Sequence, residues 1–260
     1  MKYFIIRSKN KLKIGLVIIF TIIINYFSLT AYQIVNNFDK ELLQSPWTEN
    51  ILLNTGSASY LYASYVFIIA GLMYADSLVI DKETGLQNII SCKISRRKYV
   101  FKTLIYNFLL AGFFAIFPVF INILAWFCVR GNVPLTYFNT MNIFNDDLFV
   151  AIFFKSKLLF YLLHLMKIFI VAGIIATFAL AINTRFNNRF IGLCLPLIFD
   201  SLSLLFTAIL NIPKVNVSLI SFLSTIIKAD YLTFMILFAF SIISLILIAK
   251  EINKKDILWI

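Results

Sequence analysis

Three ionisable side chains stand inside long apolar stretches of this 260-residue chain, where a charge has few ways to be tolerated. Asp200 lies about ten residues into the stretch Phe190 to Leu210, and His164 and Lys167 lie within Leu158 to Ala181. An acid near a bilayer midplane costs several kcal/mol unless it is paired, hydrated or protonated, so Asp200 must face protein or water. His164 and Lys167 are three residues apart and share one helix face. Pro196 sits four residues before Asp200 on the same face and deprives the Gly192 carbonyl of its helical donor, which predicts a hinge at that depth. The sharpest reading is an ion pair between Lys167 and Asp200 on neighbouring antiparallel helices, with His164 beside it. Two alternatives stand next to it: Lys167 reaching for the membrane surface, and Asp200 facing a hydrated cavity between two copies of the chain.

Few enzymes fit these residues. There is one histidine in the whole chain. A di-aspartyl site needs two membrane acids, and only Asp200 qualifies. Gly56-Ser57-Ala58-Ser59 lacks the second glycine of a rhomboid-like nucleophile. The eight glycines are scattered and none precedes a lysine, so there is no phosphate-cradling Gly-x-x-x-x-Gly-Lys-Ser/Thr loop. We expect no catalytic, metal or cofactor site on this chain. Cys92, Cys128 and Cys194 map to an inner loop, an outer helix end and the inner half of the fifth run, and no disulfide is expected.

The elements that position these groups are helices. Hydrophobic residues make up 61% of the chain, charged residues only 13%, and the mean hydropathy is +0.92, outside the range of soluble domains. Continuous apolar runs over about 14–32, 58–78, 104–127, 158–181, 190–210 and 231–249 each match the roughly 20 residues that span a ~30 Å hydrocarbon layer. Tilted barrel strands would be half that length and would alternate. The fold class expected is therefore an all-α polytopic membrane protein, a single domain of six spans over residues 1–260. The first run is read as an uncleaved span and not a signal peptide.

Charge orients the bundle. With both termini placed inside, sixteen of the 23 Lys and Arg fall inside, six outside, and Lys167 within a span. This is the positive-inside bias, and it accounts for the net charge of +11 without nucleic acid; anionic lipid adds a partner for it. The 28 Phe and 12 Tyr read as core and lipid-facing residues, with Trp126 at the position of an outer aromatic belt. Outer loops are expected at about Gln33 to Ser57 and Cys128 to Lys157. Residues 1–13 suit an interfacial segment or, being so short, a frayed tail, and the apolar stretch Ile212 to Asp230 suits a re-entrant or interfacial hairpin before the last span.

The inner loop Asp81 to Lys102 has the most specific pattern. Asp81 and Glu83 suit a helix N-terminus, and Leu86, Ile89 and Ile90 follow at helical spacing, giving a short helix with one apolar face. Arg96, Arg97 and Lys98 come next, ahead of the third span. An ordinary amphipathic loop held by lipid would also have this pattern. The loop nevertheless resembles the one between the second and third helices of the ABC type-2 transporter permease family: Glu83-Thr-Gly85, then Leu86, Ile89 and Ile90, then Ser95-Arg96, Tyr99 and Lys102. Lys93 and Ile94 stand where that family commonly has a proline. Six spans, inner termini and an apolar outer segment before the last span extend the likeness over the whole chain.

The resemblance implies the membrane subunit of an exporter in a bacterial cell membrane. It implies two partner ATPase subunits that hold ATP and magnesium, and a second permease copy or a related permease, with helices one, two and five at their interface. Asp81, Glu83, Gly85, Leu86, Ile89, Ile90 and Arg96 would couple the ATPase to the spans. Hydrophobic or cationic peptides, including antimicrobial peptides in self-protection, are the substrate class implied. The rival readings are an ion-coupled secondary transporter using Asp200, Lys167 and His164, and a membrane anchor or sensor that does not transport.

Overall fold

The computed structural model describes residues 10–30, 45–53, 56–135, 150–209, 219–223 and 231–253. Its helices in chain order are α1 (Lys11–Thr30), α2 (Ser57–Leu72), α3 (Ser77–Glu83), α4 (Leu86–Ser91), α5 (Arg96–Arg130), α6 (Val150–Lys155), α7 (Lys157–Phe186), α8 (Ile191–Ile209), α9 (Leu219–Leu223) and α10 (Tyr231–Asn253). Among the described residues five stretches are long and apolar enough to cross a membrane: Lys11–Thr30, Ser57–Glu83, Arg96–Arg130, Lys157–Phe186 and Leu232–Ile252. The chain thus folds as a multi-pass, all-helical bundle with membrane-spanning character. The run expected as a sixth span forms α8, a helix of 19 residues that is not among these five.

Burial separates pillars from walls. Over the most apolar 18 residues of each span, 72% are buried in the stretch through α2 and α3 and 61% in α7, against 28% in α1, 33% in α5 and 28% in α10. A helix that is apolar all round belongs either in a core or against lipid. Accordingly α7 packs on α2, α5, α8 and α10, and α2 on α1, α5 and α8, while Ile22, Tyr26, Phe113, Phe120, Phe238 and Leu245 face outward.

Small residues let the pillars touch. A Cβ at Gly71 of α2 would lie 2.6 Å from the Leu193 Cα and 3.3 Å from the Gly192 carbonyl oxygen, so α2 meets the backbone of α8. At Gly192 a Cβ would collide with the Ala179 carbonyl of α7 and come within 2.6 Å of Asn183 Oδ1. Asn183, fully buried, donates to the Ala75 carbonyl at 3.1 Å and accepts from the Gly192 N–H at 2.6 Å. One side chain therefore ties the α2–α3 junction to the start of α8. Buried Pro196, one turn further on, has no N–H to offer the Gly192 carbonyl, which is the group that Gly71 admits.

Candidate functional site

The loop expected to couple the spans to a partner is two short helices, not one. Gly85 adopts φ 70°, ψ 1°, a left-handed conformation that a glycine takes without Cβ strain, and it splits α3 from α4. Asp81 and Glu83 consequently lie in the last turns of α3 and not at a helix N-terminus, which corrects the expectation from sequence. There the helix macrodipole disfavours acids, and the tertiary structure compensates each of them. Asp81 is buried and accepts a hydrogen bond from the Tyr99 hydroxyl of α5. Glu83 pairs with Arg189, at the turn between α7 and α8.

Two further pairs extend this arrangement. Arg96 donates to Glu251 of α10 at 3.0 Å, half-buried on both sides. Lys13 of α1 reaches Asp76 at 2.8 Å and the Met73 carbonyl at 3.3 Å, at the kink between α2 and α3. Every spanning element therefore has a polar tie at the basic end of the bundle to the α3–α4 loop or to its two flanks. Ile90 packs inward beside Ala75, Tyr99, Val100 and Ile248, Leu86 is half-buried, and Ile89 points outward, 61% exposed.

Asp200, Lys167 and His164 are brought to one region, but not as a simple pair. Ion pairs among the described residues include Lys13–Asp76, Arg96–Glu251 and Arg189–Glu83; the contacts seen for Lys167 and Asp200 are of another kind. Instead the two charges hold opposite ends of α9. Asp200, 1% exposed, accepts from the Leu219 N–H at 2.6 Å, and Lys167 donates to the Phe222 carbonyl at 2.9 Å with its ammonium 4.7 Å from the Phe222 ring centre. An acid at the N-terminal end and a cation at the C-terminal end match the signs of the unpaired backbone groups there. His164 is fully buried, its ring 4.3 Å from that of Phe160. Apart from α9, the stretch Ile212 to Asp230 expected to form a hairpin lies outside the described residues, as do residues 1–9 of the expected interfacial segment.

The opposite end of the bundle holds a feature that sequence reasoning missed. Residues 45–53, expected within an outer loop, are a buried non-helical plug: Ser45, Thr48, Glu49, Asn50, Ile51, Leu52 and Leu53 are all buried. Irregular backbone at such depth needs protein partners, and it has them. The Ile51 N–H donates to Asn122 Oδ1 of α5 at 2.9 Å, and the Ile51 carbonyl accepts from Ser59 Oγ of α2 at 2.7 Å. Asn122 in turn donates to Asn25 Oδ1 of α1 at 3.0 Å. Asn50 donates to the Tyr161 hydroxyl of α7 at 2.6 Å, and that hydroxyl donates to the Trp47 carbonyl.

Trp47 closes the rim, its Nε1 3.2 Å from Asn132 Oδ1 and its ring under the Lys157 ammonium at 5.2 Å. Glu49 is the plug's one ionisable group; burial pushes its carboxyl up to about 7, partly opposed by the charge of Arg130. Trp126 is likewise corrected. Its indole is 1% exposed and donates to Ser28 Oγ at 3.2 Å, so it belongs to the core and not to an aromatic belt. A signal for the plug was present in Ile51-Leu52-Leu53, three apolar residues in a row beside Asn50 and Glu49.

The three cysteines are exposed and unbridged. Compared with family models, curated proteins and solved structures, the chain matches none.

Proposed function

We propose that this chain is the membrane-spanning permease subunit of an ATP-driven exporter of the ABC type-2 kind. It would cross a bacterial plasma membrane six times with both termini inside, pair with a second permease, and draw its energy from two separate ATPase subunits. The nineteen residues of α8 rise about 28 Å in a helix, close to the ~30 Å layer, and supply the sixth crossing in this reading. Hydrophobic or cationic peptides are the proposed cargo.

One observation carries the proposal. The α3–α4 loop exposes an apolar side chain, Ile89, while its flanks are bound to α5, α10 and the α7–α8 turn through Asp81, Arg96 and Glu83. A force applied to that loop by a docked partner would reach several spans at once. The ion-coupled reading is less well supported, because Asp200 and Lys167 are engaged with the ends of α9.

Co-purification with a Walker-type ATPase from the adjacent reading frame tests the proposal. The unaltered chain should retain the ATPase and Ile89→Asp should release it, with the bundle's melting temperature unchanged. Transport that persists with a hydrolysis-dead ATPase and follows a proton gradient would overturn the assignment.

A further inference from the structure

At the basic end of the bundle a shallow, open groove with about 500 Å³ of space runs between α5 and α10, lined by Arg97, Lys98, Phe101, Ala249 and Ile252. Its walls are of two kinds. Arg97 and Phe101 are one turn apart on the same face of α5. Ala249 and Ile252 stand three apart near the end of α10. The result is a cationic rim over an apolar floor, in which Phe101 is 62% exposed.

Beyond their share in the positive-inside bias, the rim's charges are only partly answered within the fold. Arg96, Arg97 and Lys98 fill the first turn of a 35-residue helix, where the macrodipole disfavours cations. Arg96 is answered by Glu251. Arg97 and Lys98 are exposed, and among the described residues neither forms an ion pair. They gain nothing from the helix and wait for an anion from outside it. The half-buried Arg96–Glu251 pair joins α5 to α10 beside the groove and fixes the distance between its walls.

We infer that this groove binds one anionic phospholipid. Its phosphate sits on Arg97 and Lys98, and the first part of an acyl chain lies along Phe101, Ala249 and Ile252. Two features select a lipid over a free phosphate. The cations sit where membrane-spanning helices leave the apolar layer, and the floor continues into that layer through Phe101. Guanidinium and ammonium together suit a phosphate diester, the first by paired donors and the second as a point charge. The inference does not depend on the proposed transport function.

The test is native mass spectrometry of the full chain, released from micelles containing phosphatidylglycerol or phosphatidylcholine. The unaltered chain should retain phosphatidylglycerol in preference. Each surface cation is worth about 1 kcal/mol towards an anionic lipid, so the double variant Arg97→Gln/Lys98→Gln should lose about 25-fold of that preference. Arg97→Lys/Lys98→Arg should keep most of it, as should Arg185→Gln, which removes an exposed cation of α7. Phe101→Ser should weaken phosphatidylglycerol retention while leaving any response to inorganic phosphate unchanged. Undiminished preference in the double Gln variant overturns the site. Full displacement of the lipid by millimolar inorganic phosphate, together with no effect of Phe101→Ser, overturns the lipid in favour of a free anion.

Discussion

Replacing Glu49 by Gln asks what it costs to keep an acid inside the plug. Glu49 is 3% exposed, and burial raises its carboxyl from 4.5 to about 7 against the pull of Arg130. Between those two values the folded protein binds a proton that the unfolded chain has released. Stability therefore falls as pH rises through this window, and the loss is complete above about pH 7. At about 1.4 kcal/mol per pH unit the full loss is about 3.5 kcal/mol. Gln keeps the shape without the ionisation, so E49Q should flatten the profile and be the more stable protein at pH 8 by up to that amount.

Plug opening is read as the maleimide labelling rate of L52C, since Leu52 is fully buried, in a background lacking the other cysteines. A separate variant retaining only exposed Cys92 supplies the correction for thiol ionisation. The corrected rate should rise up to about 100-fold from pH 5 to pH 8 with Glu49 present, and stay level in E49Q. Parallel profiles for the two proteins, or a corrected rate that falls with pH when Glu49 is present, would refute the reasoning.

Asn122→Ala strips the Ile51 N–H of its acceptor and Asn25 of its donor; with about 1–3 kcal/mol for each buried group left unmatched, L52C labelling should accelerate at every pH. For α9, D200A should expose L223C to labelling, by about 1.5–3 kcal/mol for a lost bond to a charged acceptor, whereas D200N, which keeps an oxygen for the Leu219 N–H, should stay near the unaltered protein. Gly192→Ala sets a methyl group against the Ala179 carbonyl and Asn183; a drop in thermal stability in micelles greater than that of Gly15→Ala, where nothing lies within 4 Å, is the expected outcome. Exchanging charges in R96E/E251R should restore stability lost in either single variant if the pair joins α5 to α10 as drawn.

Apolar runs revealed the spanning helices because burial in lipid or core requires little beyond hydrophobicity. Their ends were less legible. The third apolar run covers 104–127, whereas α5 spans Arg96–Arg130, because a backbone ladder continues through Arg96 to Lys98 where hydropathy stops. The acids of the inner loop were placed at a helix start since their type favours it, but Gly85 breaks the chain just after them and tertiary partners override the local preference. Lys167 and Asp200 stand out in the sequence as charges within apolar runs. That α9 would come between them was not legible, because it depends on a distant segment folding back. The plug was hardest to see: its stability comes from Asn25, Ser59, Asn122 and Tyr161, single polar residues that look unremarkable within apolar runs.

The close seating of Gly71, Gly192 and Asn183 has a mechanical consequence. Where backbones of α2, α7 and α8 touch without side chains between them, there is no slack for sliding, so the three helices form a fulcrum at the basic end. Pro196 begins the lever arm immediately beyond it. Asp200, one turn further along, rides on that arm and holds α9 by its first N–H. A small tilt about the fulcrum would be magnified along α8 and felt as a pull on α9, while Lys167, on the rigid pillar, keeps the other end still.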